Sequence, residues 1–227
     1  IVVNADALLR IPKEMDSVIA AGFTMTYGTS MYALKQRGCL KSGEKLLVLG
    51  AGGGVGITAV EIGKLMGAEV IAAASNENKL VAAKRAGADH LINYSEGNIR
   101  DKIKNIVGSN GIDVLYDPVG GELFEPCLRS LAWGGRALVI GFASGTIPKL
   151  PTNLTLVKGC SVVGVFWGAF RIKETEEDNK NFEILFKWFK EKKLSPLVSQ
   201  KFSLENAKEA LLTLSNRKAI GKVILTP

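Results

Sequence analysis

The sequence predicts a doubly wound α/β fold on a six-stranded parallel sheet, and three observations carry that prediction. From Glu44 onward, short apolar runs alternate with longer amphipathic stretches, the pattern of βα units whose sheet is covered on both faces. The apolar runs are continuous rather than alternating, as strands buried on both sides require. A glycine-rich turn follows the first run and opens a helix. Composition agrees, because 227 residues at 47% hydrophobic and 22% charged supply core for one large or two small domains.

The expected strands are residues 45–49, 69–74, 90–93, 113–116, 137–141 and 161–166. Between them, 55–66, 77–86, 96–107 and 122–131 carry helical spacing; Ile99, Ile103, Ile106 and Val107, for example, share one face. Gly67, Gly87, Gly108 and Gly134 fall just past these helices, where a left-handed cap favours glycine. Phe182, Leu185, Phe186 and Phe189 sit at i, i+3, i+4 and i+7 on a further helix, whose stripe is expected to pack outside the sheet. A helix over 203–214 opened by Ser203 and a strand over 222–225 close the chain.

Several function classes are excluded at this point. Runs such as 70–74 and 161–166 are far shorter than the roughly 18–20 residues of a membrane-spanning helix, so no membrane partner is expected. Cys39, Cys127, Cys160 and the single His90 are too scattered for a disulfide framework or a metal cluster. The net charge of +7 is spread among acids, as over 173–180, so no nucleic-acid partner is expected. The chain opens Ile1-Val2-Val3 with neither an initiator Met nor signal-peptide features, which points to a missing N-terminal portion.

The chemistry begins at Leu49-Gly50-Ala51-Gly52-Gly53-Gly54-Val55-Gly56. A turn between a strand and a helix, with this glycine content, is the context of a dinucleotide-binding βα turn. Gly53 lets the backbone approach a pyrophosphate, Gly56 lets the helix lie against the strand, and the helix N-terminus favours the phosphate charge. Ala51 stands where the strict pattern has its first glycine, and no Gly-Lys-Ser/Thr follows to make a P-loop. The second strand ends Ala73-Ala74-Ser75, without the carboxylate that accepts the ribose 2'-hydroxyl of NAD. Ser75 and Lys79 suit a 2'-phosphate instead, so NADP(H) is the expected cofactor.

Six motifs follow one another along the chain: Tyr27-Gly28-Thr29-Ser30 ahead of Ala33-Leu34, the glycine turn, Ala86-Gly87-Ala88-Asp89 with Ile92-Asn93-Tyr94, Asp117-Pro118-Val119-Gly120-Gly121, Gly134-Gly135-Arg136 and Gly221-Lys222-Val223-Ile224-Leu225. In this order they resemble the medium-chain dehydrogenase/reductase superfamily, and within it the zinc-independent NADPH:quinone oxidoreductases of the zeta-crystallin-like group. The resemblance covers nearly the whole chain. It implies a Rossmann domain over 27–168, with remnants of a GroES-like catalytic domain at 1–26 and a return to it at 169–227. It places Gly53, Gly54 and Val55 at the pyrophosphate, and Ser75, Lys79, Tyr94 and Arg217 around the 2'-phosphate. Val119, Gly141, Phe142, Phe166 and Trp167, on the loops after the fourth, fifth and sixth strands, would border the nicotinamide. Two readings stand for the aromatic residues: Tyr94, Phe142, Phe166 and Trp167 are cofactor contacts or packing groups. Thr29 and Tyr27 lie on a segment near the nicotinamide in this family; the other reading is a helix start with packing side chains.

Zinc-dependent relatives place a cysteine four residues before the threonine matching Thr29, and Met25 stands there. A thioether is a poor zinc ligand, so no metal is expected. The resemblance implies zinc-independent hydride transfer to a quinone or an α,β-unsaturated carbonyl. An enoyl-thioester reductase and a non-catalytic NADPH-binding structural module are the other readings. No catalytic residue is assigned. The strand at 161–166 resembles the edge through which the family dimerises, so a homodimer is expected. Cytoplasm is the expected compartment, with a mitochondrial leader on the missing portion as the other reading.

Overall fold

The computed structural model describes residues 2–3, 5 and 8–227. Six strands form one parallel sheet: β1 (Lys45–Leu49), β2 (Glu69–Ala74), β3 (His90–Asn93), β4 (Ile112–Asp117), β5 (Leu131–Val139) and β6 (Ser161–Gly164). Their spatial order is β3-β2-β1-β4-β5-β6. The order reverses between β1 and β4, so their carboxyl ends diverge and leave the crevice where such sheets bind ligands.

Continuous apolar strands bury both faces. On β1, Leu46 and Val48 join one core cluster while Leu47 and Leu49 join the other. The first cluster lies under α1 (Ser17–Met31), α2 (Gly54–Leu65), α3 (Glu77–Arg85) and α8 (Thr175–Lys190), through Phe23, Val60, Ala83 and Phe182. The second lies under α4 (Ile99–Val107), α5 (Phe124–Leu128) and α6 (Thr152–Lys158), through Ile103, Phe124 and Leu154. The stripe of α8 packs beside α1, where Phe186 stacks on Phe23 with ring centroids 5.7 Å apart. A short α7 (Trp167–Lys173) precedes it. After α8, β7 (Val198–Ser203) pairs in parallel with β8 (Lys222–Thr226) across α9 (Ala207–Ser215). This small sheet is tied to the glycine turn, where Gly221 N donates to Gly52 O at 2.8 Å.

Six expectations are corrected. The fifth strand is Leu131–Val139 rather than 137–141, its first half being the bulged stretch that pairs with β4. The last helix is α9, starting at Ala207 rather than 203; Ser203 ends β7, makes no side-chain cap bond, and a 3-10 turn at Leu204–Asn206 intervenes. Residues 122–131 are not one helix: a 3-10 turn at Gly121–Leu123 leads into α5, and Leu131 already begins β5. Gly134, with φ +75°, is therefore no helix cap; it sits where β5 bulges between Leu131 and Arg136. The fourth helix starts at Ile99 rather than 96, because the Asn98 side chain caps it by accepting from Arg100 N. The sixth strand ends at Gly164, two residues early, because Phe166 leaves the extended region and Trp167 opens α7.

Candidate functional site

The glycine turn is built so that side chains will not fit. Gly50 has φ +60°, and a Cβ on Gly56 would stand 2.2 Å from the Gly50 carbonyl oxygen. A Cβ on Gly52 would stand 2.5 Å from Lys79 Cβ, so the Lys79 stem lies over the turn. Gly53 is the extended N-cap of α2, with no side-chain cap bond and no acidic residue in the first turn. Gly54 and Val55 begin the helix, and its N-terminal amides and positive dipole end converge on this spot. Those features together suit a phosphate.

The residues expected around a 2'-phosphate come together beside it. Lys79 Nζ donates to the Arg217 carbonyl at 2.8 Å. Burial, then the Arg217 charge, pushes the Lys79 ammonium below its ordinary pKa. Arg217 is itself in the left-handed region at φ +57°, and its guanidinium donates to Ser144 O at 3.1 Å. Tyr94 is hydrogen-bonded to Ser75; burial holds its phenol above the ordinary value, against the pull of Ser75 and Arg217. Two neighbouring cations repel each other, and an anion between them removes that cost.

The loops at the other end of the crevice are zipped by backbone. Asp117, buried at the end of β4, accepts from Val119 N and Gly120 N at 2.8 Å each, and burial raises its pKa against those bonds. Ala143 N donates to Pro118 O and Ser144 N to Val119 O, which fixes Gly141 and Phe142 beside Val119. Phe142 is 41% exposed and Phe166 75% exposed, and the two line a groove of about 540 Å³ with Ile140, Val165 and Phe170. Trp167 is placed differently: its Nε1 donates to buried Asp178 at 2.8 Å, and its ring lies against Gly28.

Tyr27 and Thr29 lie in the second half of α1, not at a helix start. The Tyr27 hydroxyl donates to buried Glu61, whose other oxygen accepts from Ser195 N at 2.8 Å, so Tyr27 is committed to holding α1, α2 and the C-terminal segment together. Thr29 is half-buried between buried neighbours. Next to it, Ser30 bonds Thr58 and Tyr116 at 2.8 and 2.9 Å, locking α1 to α2 and β4. Lys222 is a candidate that sequence reasoning did not single out. Its stem passes between Gly22 and Gly54, within 3.2 Å of a Cβ built on either, which brings a cation to the start of α2. The signal was present, a lysine directly after the Gly221 that pairs with the turn.

The family model described as zinc-binding dehydrogenase matches residues 54–184. Quinone oxidoreductase-like protein 2 of Bos taurus is 36% identical over 220 residues, which are 96% of this chain and 63% of that protein. The chain belongs to the quinone oxidoreductase-like group of the medium-chain dehydrogenase/reductase superfamily. Among solved members of the superfamily, a mycobacterial protein complexed with NADPH superposes with a TM-score of 0.92 at 28% identity, covering 98% of this chain and 69% of that one. Escherichia coli quinone oxidoreductase complexed with NADPH gives a TM-score of 0.89 at 28% identity, with the same coverage. The chain spans a little over 60% of the length of the curated group members it matches first. Among the described residues, no group of three or more His, Cys, Asp and Glu is placed to hold a metal, and no helix is long and apolar enough to cross a membrane.

Proposed function

We propose that this chain binds NADP(H), and that the protein it represents reduces a quinone or an α,β-unsaturated carbonyl without zinc. One observation carries the cofactor reading: Lys79 and Arg217 stand together with Ser75 and Tyr94 beside the glycine turn, where β2 ends in Ala74 instead of a carboxylate. The residues fit the group. Gly53, Gly54 and Val55 with the start of α2 hold the pyrophosphate, and Lys222 adds a cation there. Ser75, Lys79, Tyr94 and Arg217 hold the 2'-phosphate. Val119, Gly141, Phe142 and Phe166 border the nicotinamide at the carboxyl ends of β4 to β6.

When bound, NADPH supplies the hydride. The chain orients the cofactor, with Phe142 and Phe166 supplying apolar surface beside the acceptor. A conjugated acceptor spreads the arriving electron pair onto oxygen, where hydrogen bonds stabilise it without a Lewis acid. Zinc independence rests on Met25, an exposed thioether on α1 where zinc-dependent relatives have a thiolate. We further propose residues 27–168 as the Rossmann domain, flanked by parts of a catalytic domain at 1–26 and 169–227. Homodimer formation through the open edge of β6 is supported by three apolar side chains at least 70% exposed: Leu156 and Val157 on α6, just ahead of β6, and Trp133, whose ring lies over Gly159.

The test is NADPH oxidation in the presence of a small quinone, an enone or an enoyl-CoA. Turnover with either of the first two supports the reading. Acceleration by enoyl-CoA alone moves the protein to the thioester reductases. NADPH binding with no turnover of any acceptor makes it a binding module.

A further inference from the structure

We infer that Asp178 is a positioning residue, which holds the Trp167 indole and through it sets the Phe166 wall of the acceptor groove. The inference rests on the reading of that groove as the reducing end of the site. Asp178 is fully buried in the first turn of α8. Its Oδ1 accepts from Trp167 Nε1 at 2.8 Å and its Oδ2 from Arg171 Nη1 at 2.7 Å, so the carboxylate joins the first and fifth residues of α7 to α8. The indole is fixed on its other sides as well. A Cβ on Gly28 would stand 2.7 Å from the ring, and Phe182 meets it edge-on at 6.4 Å between centroids.

Stability alone does not call for this arrangement, because a buried ion pair is often matched or bettered by apolar side chains of the same volume. What the carboxylate adds is direction. An indole N–H with one buried acceptor has one orientation, whereas an apolar pocket would tolerate several. Phe166 directly precedes Trp167, at the point where the chain turns from β6 into α7, and its largely exposed ring forms the groove wall together with Phe142. The anchor beside it therefore fixes the backbone from which the Phe166 ring enters the groove.

The test compares Asp178→Ala, Asp178→Asn and Trp167→Phe in the full chain, reading acceptor KM, kcat and NADPH affinity separately. Positioning predicts that Asp178→Ala raises acceptor KM about tenfold and leaves the NADPH dissociation constant within about twofold. Trp167→Phe should do the same, and adding it to Asp178→Ala should cause no further loss. Asp178→Asn, which keeps an oxygen for the indole, should recover most of the KM. A merely structural role would lower kcat with the folded fraction and leave KM alone, and that result would overturn the inference. Should Asp178→Ala not fold, Trp167→Phe and Asp178→Asn decide the matter by the same KM criterion. If no acceptor turns over, the proposed function fails by itself. The inference is then read in a Trp133→Phe/Trp188→Phe background, where Asp178→Ala must raise acrylamide quenching of Trp167 severalfold; unchanged quenching would sink it.

Discussion

The two ends of the crevice are built by different means. At the ends of β1 to β3, backbone geometry dictates the site: Gly50 takes a positive φ, Gly56 has no room for a side chain, and Lys79 and Arg217 are held by main-chain carbonyls. At the ends of β4 to β6, a zipped pair of loops after β4 and β5 carries Phe142, which faces an open groove together with Phe166 after β6. The contrast separates the two tasks. Under the proposed function, recognition of a phosphate-bearing cofactor rests on main chain and charge, while acceptor shape rests on side chains that can be exchanged without disturbing the turn.

The sharpest way to break this comparison is Gly56→Ala. Its methyl would meet the Gly50 carbonyl, so we expect a loss of about 2–4 kcal/mol in denaturant unfolding and no measurable NADPH binding. Lys79→Ala and Arg217→Ala come next: each should weaken NADPH by about tenfold to a hundredfold in a calorimetric titration and leave NADH nearly unchanged. Phe166→Ala, at the other end, should raise acceptor KM by at least about tenfold and cost far less NADPH affinity than the Lys79 and Arg217 changes. A loss of NADPH affinity in Phe166→Ala as large as theirs would merge the two ends into one site.

The smallest expected effect is a pH dependence. Burial and Arg217 disfavour the charged form of Lys79, so its folded pKa lies below that of the unfolded chain. NADPH affinity should accordingly begin to fall at lower pH than an ordinary lysine would give. A bound phosphate favours the ammonium and raises that pKa again, so binding takes up protons between the free and bound values, read as a buffer-dependent binding enthalpy.

Much of this was legible in the sequence for physical reasons. Strands β1 to β3 match their expected bounds because continuous apolar runs next to glycine caps admit few other readings. The glycine turn was legible because its residues are dictated by space. β5 was shortened because Trp133-Gly134-Gly135 resembles a helix end, whereas the bulge depends on pairing with β4. β7 was not seen because Ser199, Gln200 and Lys201 are exposed and polar, in a strand defined by its partner β8. Asp178 was hidden in the acidic run Glu176-Glu177-Asp178, which reads as a solvated helix start; only the packing of α7 on α8 shows that the third acid is buried.

The central claim is that the turn and its paired cations select a 2'-phosphate. Equilibrium titration of this chain with NADPH and with NADH tests it most directly. The account predicts NADPH binding tighter by about tenfold to a hundredfold, the worth of one or two charge-assisted hydrogen bonds. Equal affinities would contradict it, and would leave Lys79 and Arg217 as surface charges that happen to meet.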